Sequence, residues 1–204
     1  MSVDIGIIGL TQSGKTTIFN ALTGVRADTS PVSHIGVTKV PDSRLKVLTD
    51  MLHPKKVVPT EVKFIDIGAS AKGLVDTRGI SGQFLAELSN VDALIAIVHN
   101  FTDESIPHPE GSLDVTRDIT TLNLELAVSD SAIIERRLKG ARTTERPPLL
   151  REQEILLKIR ADLEKDIPVR EQSLSAEDSR ILVGYQFLTD KPLLIMVNIG
   201  EEQL

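Results

Sequence analysis

Val3-Asp4-Ile5-Gly6-Ile7-Ile8-Gly9-Leu10-Thr11-Gln12-Ser13-Gly14-Lys15-Thr16-Thr17 is the stretch on which the fold turns. Residues 3–8 form a short apolar run rich in β-branched side chains, closed by Gly9, which reads as a buried strand. Gly9 through Thr16 fits G-x-x-x-x-G-K-[ST] at every position. A triphosphate is a dense cluster of anionic oxygens. The backbone N–H groups of Gly9, Thr11, Gln12, Ser13, Gly14, Lys15, Thr16 and Thr17 are the donors expected to converge on it. Gly9 and Gly14 allow backbone angles and close approaches that a Cβ would obstruct. The Lys15 ammonium is expected at the β- and γ-phosphates, where it stabilises charge during transfer, and the Thr16 hydroxyl on Mg²⁺. The following helix adds the positive end of its dipole. The plainer alternative is a Gly-rich strand–helix turn that binds nothing.

Working outward, further apolar runs follow at residues 62–67, 93–98 and 193–197, the last announced by Pro192. Helical patterns separate them: 15–22 ending at Gly24, a helix opened by Pro41-Asp42-Ser43 with Leu45, Leu48 and Leu52 on one face, and one containing 84–88. Near-continuous apolar strands alternating with helices predict an α/β fold, a doubly wound and mostly parallel sheet with right-handed crossovers. Residues 35–40 form a weaker strand suited to a sheet edge. Asp66 closes the second run and is the expected acidic partner of the metal, with a simple strand-end cap as its alternative.

From about residue 114 to 187 the strand pattern stops. Ile119, Leu126 and Ile133 are spaced by seven, as are Leu149, Leu156 and Leu163, and Gly140, Pro147 and Pro148 lie between the two series. This predicts an antiparallel helical hairpin of coiled-coil type inserted between two sheet strands, although Glu152 falls on the seam. Two helices lying flat on the sheet are the alternative. The expected division is 1–113 for the first part of the nucleotide domain, 114–187 for the insertion and 188–204 for its continuation.

Composition sets the outer limits. The apolar share of 41% and charged share of 25% are those of a globular protein, and the net charge of −6 argues against a nucleic-acid footprint over the whole surface. Absence of cysteine excludes disulfides and thiolate metal sites and fits a reducing cytoplasm. No run approaches the roughly 18 apolar residues of a membrane helix. The expectation is a soluble, cytoplasmic protein; oligomeric state is left open. Arg136, Arg137, Lys139 and Arg142, near the hairpin tip, read as a solvated helix end or as an RNA contact. His34, His53, His99 and His108 are scattered, without metal-ligand spacing.

Past these residues the chain resembles the YchF/Obg-like ATPase family. The resemblance is carried by Ile8-Gly9-Leu10 with Gly14-Lys15-Thr16-Thr17-Ile18-Phe19-Asn20-Ala21-Leu22-Thr23, by Val40-Pro41-Asp42-Ser43-Arg44-Leu45, and by Pro59-Thr60 with Phe64-Ile65-Asp66-Ile67. Val91-Asp92-Ala93, Asn123-Leu124-Glu125-Leu126, Phe187-Leu188-Thr189 and Lys191-Pro192 extend it over nearly the whole chain. It implies a Ras-like P-loop nucleotide domain with a helical coiled-coil insertion, and a C-terminal TGS domain for which this sequence has no counterpart. Asn198-Ile199-Gly200-Glu201 stand where guanine-specific proteins carry N-K-x-D, and resemble the N-x-x-E form that goes with ATP. Asn198 and Glu201 are therefore the expected base contacts, with ATP favoured over GTP. Leu204 follows so closely that a fragment lacking the last strand and helix of the domain is expected.

Departures from the family concern hydrolysis. Asp66-Ile67-Gly68-Ala69 replaces D-x-A-G, Ser70 offers no side chain suited to orienting water, and Gln12 replaces an asparagine. The first switch is short, leaving Thr29, Ser30 and Ser33 open as its metal ligand. The leading expectation is a slow Mg²⁺-dependent ATPase, or GTPase, acting as a switch with a ribosome or RNA partner. A nucleotide-dependent binding module without useful hydrolysis is the alternative. A small-molecule P-loop kinase fits less well, for want of an Arg-rich lid.

Overall fold

The computed structural model describes residues 2–28, 33–67, 82–141 and 147–204. Among the described residues five strands occur, β1 (Val3–Gly9), β2 (His34–Lys39), β3 (Glu61–Asp66), β4 (Ala93–Asn100) and β5 (Leu193–Ile199). The helices are α1 (Lys15–Thr23), α2 (Ser43–Leu52), α3 (Gly82–Ser89), α4 (Val115–Ala141), α5 (Pro147–Leu163) and α6 (Ala176–Leu182). No helix among the described residues is long and apolar enough to cross a membrane.

The sheet order is β2-β3-β1-β4-β5. β1 pairs in parallel with β3 (Ile7↔Asp66) and with β4 (Gly9↔Ile97), and β4 with β5 (His99↔Asn198). β2 runs antiparallel to β3 at the edge, where its Ile35 and Val37 face solvent. The edge position agrees with the weaker pattern of residues 35–40. β1 is thus the strand from which the chain departs in both directions, and its carboxyl end is the topological switch point where ligands of such sheets bind.

Alternation along the central strands divides the core between the two faces. Ile7, Ile95 and Ile97 join Phe19 of α1 and Phe64 on one face. Ile8, Leu94, Ala96 and Val98 meet Leu88 of α3 and Leu122 and Leu126 of α4 on the other. Burial of both faces is why β4 reads as an unbroken apolar run.

α4 is shared between two cores. Its first half, through Leu122 and Leu126, covers the sheet. Its second half places Ile134 in a separate cluster with Ile155, Leu156, Ile159 and Leu163 of α5, completed by Val169, Leu182 and Phe187. α4 thus packs on the sheet with its first half and on α5 with its second, while α5 joins only the second cluster. Leu126 packs against the sheet rather than the seam, and Ile134, not Ile133, is the fully buried residue in the second half of α4. α3 ends at Ser89, and the turn at Asn90 is held by Lys191 Nζ on the carbonyls of Ser89 and Val91 at 3.0 and 2.7 Å.

The seam acid Glu152 is paired. Its carboxylate accepts from Arg137 Nε at 3.1 Å and Nη2 at 2.9 Å, and from the Tyr185 hydroxyl. Where the chain returns to the sheet, Asp130 of α4 accepts from Leu188 N–H and Thr189 N–H, both at 2.8 Å, and from Thr189 Oγ1 at 2.6 Å. Three donors around a fully buried carboxylate fasten the start of the β5 segment to the middle of α4.

Candidate functional site

Parallel pairing brings the carboxyl ends of β1, β3, β4 and β5 to one edge of the sheet. Gly9 ends β1 with φ +153°, and a Cβ there would lie 2.4 Å from the Ile97 carbonyl oxygen. Gly14 caps α1 in the left-handed region (φ 94°, ψ 18°) with no side-chain cap. Its missing Cβ leaves room for Asn198 Nδ2, which would otherwise lie 2.4 Å away. Gln12 is also left-handed, at φ 63°. Between the two glycines the loop turns tightly, closed by Ser13 N–H to the Leu10 carbonyl at 3.3 Å. Thr11 and Gln12 are exposed at the rim and Ser13 is fully buried. The first turn of α1 is left with backbone N–H donors free of a side-chain cap, which suits an anion.

Lys15 opens α1 and is 8% exposed. Its Nζ donates to the Gly9 carbonyl at 3.0 Å and the Leu10 carbonyl at 2.9 Å, so the ammonium bends back over the loop. Burial pulls its pKa down from the ordinary lysine value, while the charges of Asp66 and Glu125 push it back up. Asp66 is 2% exposed at the end of β3. Its Oδ1 has no hydrogen-bond partner among the described residues, and neither has Ser13 Oγ. A buried carboxylate oxygen without a donor is costly unless a cation or its water shell meets it. Asp66, with the half-buried Thr16 one residue past Lys15, is an oxygen donor set of the kind Mg²⁺ takes. Thr17 is exposed on the same turn.

Asn198 arrives from β5, 185 residues away in sequence from the residue it bonds: its Nδ2 donates to the Ser13 carbonyl at 3.1 Å. The side chain expected at a base is thus also a brace for the phosphate loop. Glu201 begins a short 3₁₀ turn after β5 and is exposed. Thr29, Ser30, Gly68, Ala69, Ser70 and Arg142 lie outside the described residues. Ser33, the remaining switch candidate, donates its hydroxyl to Glu87 of α3.

Two features were not singled out from the sequence. Glu125, on the sheet-facing side of α4, is 7% exposed, and burial pushes its pKa up to about 7 against the pull of Lys15. The signal for it was present: an acid between Leu122 and Leu126 on an apolar helix face. The second feature joins histidines that are distant in sequence. His99 and His108 rings lie 5.0 Å apart, and His108 Nε2 is 2.7 Å from Asp118 Oδ2. Asp118 also accepts from Arg117 Nε and Nη2, so the loop after β4 is tied to the first turn of α4. Burial lowers the His99 pKa. No group of three or more metal-ligating side chains occurs among the described residues.

A family described as the 50S ribosome-binding GTPase matches residues 4–137. The chain is 34% identical over 214 residues to "Ribosome-binding ATPase YchF" of Bacillus subtilis, covering 100% of this chain and 58% of that protein. It is 35% identical to the protein of the same name from Haemophilus ducreyi, covering 99% of this chain and 58% of that one. A solved structure titled as the YchF GTPase of Schizosaccharomyces pombe superposes with a TM-score of 0.80 at 28% identity, over 98% of this chain and 57% of that one. The chain therefore spans somewhat more than half the length of these relatives. With a family match running from β1 into α4, and with strand, loop, lysine and buried aspartate assembled at the switch point of the sheet, this chain belongs to the 50S ribosome-binding GTPase family.

Proposed function

We propose that this chain binds a Mg²⁺–nucleoside triphosphate, ATP in preference to GTP, and hydrolyses it slowly as a cytoplasmic switch for a ribosome or RNA partner. The observation that carries the reading is Lys15: a buried ammonium held over the phosphate loop by two carbonyls, within reach of the unpartnered charge of Asp66. A phosphate group replaces those carbonyls with stronger, charge-assisted bonds. The loop amides and the start of α1 bind the β- and γ-phosphates, and Lys15 stabilises charge as the γ-phosphoryl group departs. Thr16 and Asp66 would hold Mg²⁺, which when bound neutralises charge on the phosphate oxygens. Asn198 and Glu201 meet the base. Residues 29–34 and 68–82 act as the switch segments, and the α4–α5 hairpin reports their state. The division into 1–113, 114–187 and 188–204 belongs to the same proposal, with α4 serving both units.

Calorimetric titration with Mg²⁺–ATP and Mg²⁺–GTP, alongside steady-state turnover, tests it. Binding and turnover that vanish in Lys15→Ala are the expected result. If neither nucleotide shifts the melting temperature at millimolar concentration, the reading is wrong. Tight binding with turnover no greater than in Lys15→Ala selects the second reading, a binding module, which the replacement of D-x-A-G by Asp66-Ile67-Gly68-Ala69 favours.

A further inference from the structure

Strand β2 is the edge of the sheet beside β3, and among the described residues no strand lies on its far side. An edge strand carries a row of backbone N–H and C=O groups that point away from its neighbour and can take another strand. Proteins blunt such edges with charge, proline or a bulge. Between Ile35 and Thr38 β2 has none of these. Its register with β3 runs unbroken from His34↔Asp66 to Lys39↔Glu61, and its lysine stands at the far end. The side chains divide between two faces. Gly36 is buried, and a Cβ there would meet Thr23 and Phe19 of α1. Ile35 and Val37, on the opposite face, are 61% and 52% exposed.

The segment that follows is also uncovered. α2 has no buried residue, and its Val47, Leu48, Met51 and Leu52 are at least half exposed. Valines at positions 40, 57 and 58 are exposed as well. Together with Ile35 and Val37 these side chains present on the order of 800 Å² of accessible surface, the share that one partner brings to an interface of standard size. An ordinary monomer keeps a largest apolar patch of only roughly 300–600 Å².

We propose that the occupant of this surface is a second copy of the chain, joined edge to edge through β2 so that the two sheets become one. The strand is self-complementary. A two-fold axis that pairs β2 with itself runs the strands antiparallel and keeps each side chain on its own face, so the axis passes at a residue and not between two. With the axis at Gly36, Ile35 of one protomer lies directly opposite the partner's Val37, and the same pair recurs on the other side of the axis. Both apolar side chains then gain a cross-strand neighbour. Moving the axis to Val37 would set Ile35 against the partner's Lys39, so apolar pairing selects the first register. Antiparallel pairing also sets α2 of each protomer at the end of the seam where the partner's β2 begins. This contact does not depend on what the phosphate loop binds.

Sedimentation equilibrium of the full chain, with amide hydrogen exchange over residues 35–38, provides the test. A dimer with a dissociation constant in the micromolar range is expected, and exchange over that strand slows as protein concentration rises. In Ile35→Glu/Val37→Glu like charges face each other on both sides of the axis, and the dissociation constant rises at least about tenfold. In Ile35→Lys/Val37→Glu every facing pair has opposite charge, and the constant returns to within about threefold of wild type. Both positions are solvent-exposed in the protomer, and a circular-dichroism melt of each variant verifies its fold. If a variant does not fold, the concentration dependence of exchange in the wild-type chain decides alone. A monomer up to millimolar concentration overturns the proposal and leaves the surface to a protein of different sequence. A dimer that Ile35→Glu/Val37→Glu leaves intact also overturns it, because the contact then lies elsewhere. So does a failure of Ile35→Lys/Val37→Glu to recover, which refutes the register about Gly36.

Discussion

Glu125→Gln has a pH signature that can be worked out in advance. In the folded protein burial pushes the Glu125 carboxyl from its ordinary value of 4.5 to about 7, with Lys15 opposing the rise. Between those values the folded state holds a proton that the unfolded chain has released. Stability from this group is therefore fully present below about pH 4.5 and is lost as pH rises toward 7. The rise of about 2.5 pH units, at about 1.4 kcal/mol each, makes the loss on the order of 3 kcal/mol. Glutamine has nearly the same shape and no charge, so this slope disappears in the variant. Groups not coupled to Glu125, such as Asp130, which burial raises to about 6, act equally in both proteins and cancel in the difference, whereas Lys15, whose pKa the Glu125 charge raises, does not. Urea denaturation of the two proteins at pH 5 and pH 8 measures it. The two should differ by about 1 kcal/mol or less at pH 5, and Glu125→Gln should be the more stable at pH 8 by about 2–3 kcal/mol. Parallel pH dependences, or a variant less stable at pH 8, would refute the claim that an uncompensated carboxylate is buried there.

Three further outcomes follow from the geometry. Gly9→Ala places a Cβ 2.4 Å from a backbone oxygen of β4 that cannot move aside, so it should cost about 3 kcal/mol or more in denaturant melts and disable nucleotide binding. Thr189→Val keeps the shape but removes a hydroxyl that donates to Asp130 at 2.6 Å and accepts from the buried Val169 N–H at 3.3 Å. A loss of about 2 kcal/mol in the same assay is expected, and a neutral result would show that the return to β5 is not fastened at Asp130. Asn198→Ala removes the brace on the Ser13 carbonyl. Calorimetry should show ATP and GTP weakened alike if bracing dominates, whereas a change confined to one nucleotide would assign Asn198 to the base.

Much of the sheet was readable because its information is local. The β-branched runs, Gly9, Gly14 and the lysine–threonine pair lie within single elements, and each constrains backbone geometry over a few residues. The edge position of β2 follows from its weak pattern, since a strand exposed along Ile35 and Val37 has less apolar burial to announce. The heptads of α4 and α5 misled in one respect. A seven-residue spacing states that Leu126 and Ile133 share a face, but not that the helix uses one part of its length on the sheet and another against α5. That partition depends on where the sheet ends, which no window of α4 contains. His99 and His108 read as scattered because they stand nine positions apart, and only the chain's return against α4 brings Asp118 to His108.

From its sequence alone this protein was determined to be an α/β chain with a mostly parallel sheet and a phosphate loop, since hydrogen-bond donors and glycines in one short segment dictate that turn wherever it sits. Only the tertiary structure decided what surrounds Lys15. Asp66, Glu125 and Asn198 come from three different elements, and charges and braces that meet across the fold act through distance in space, for which distance along the chain is no guide.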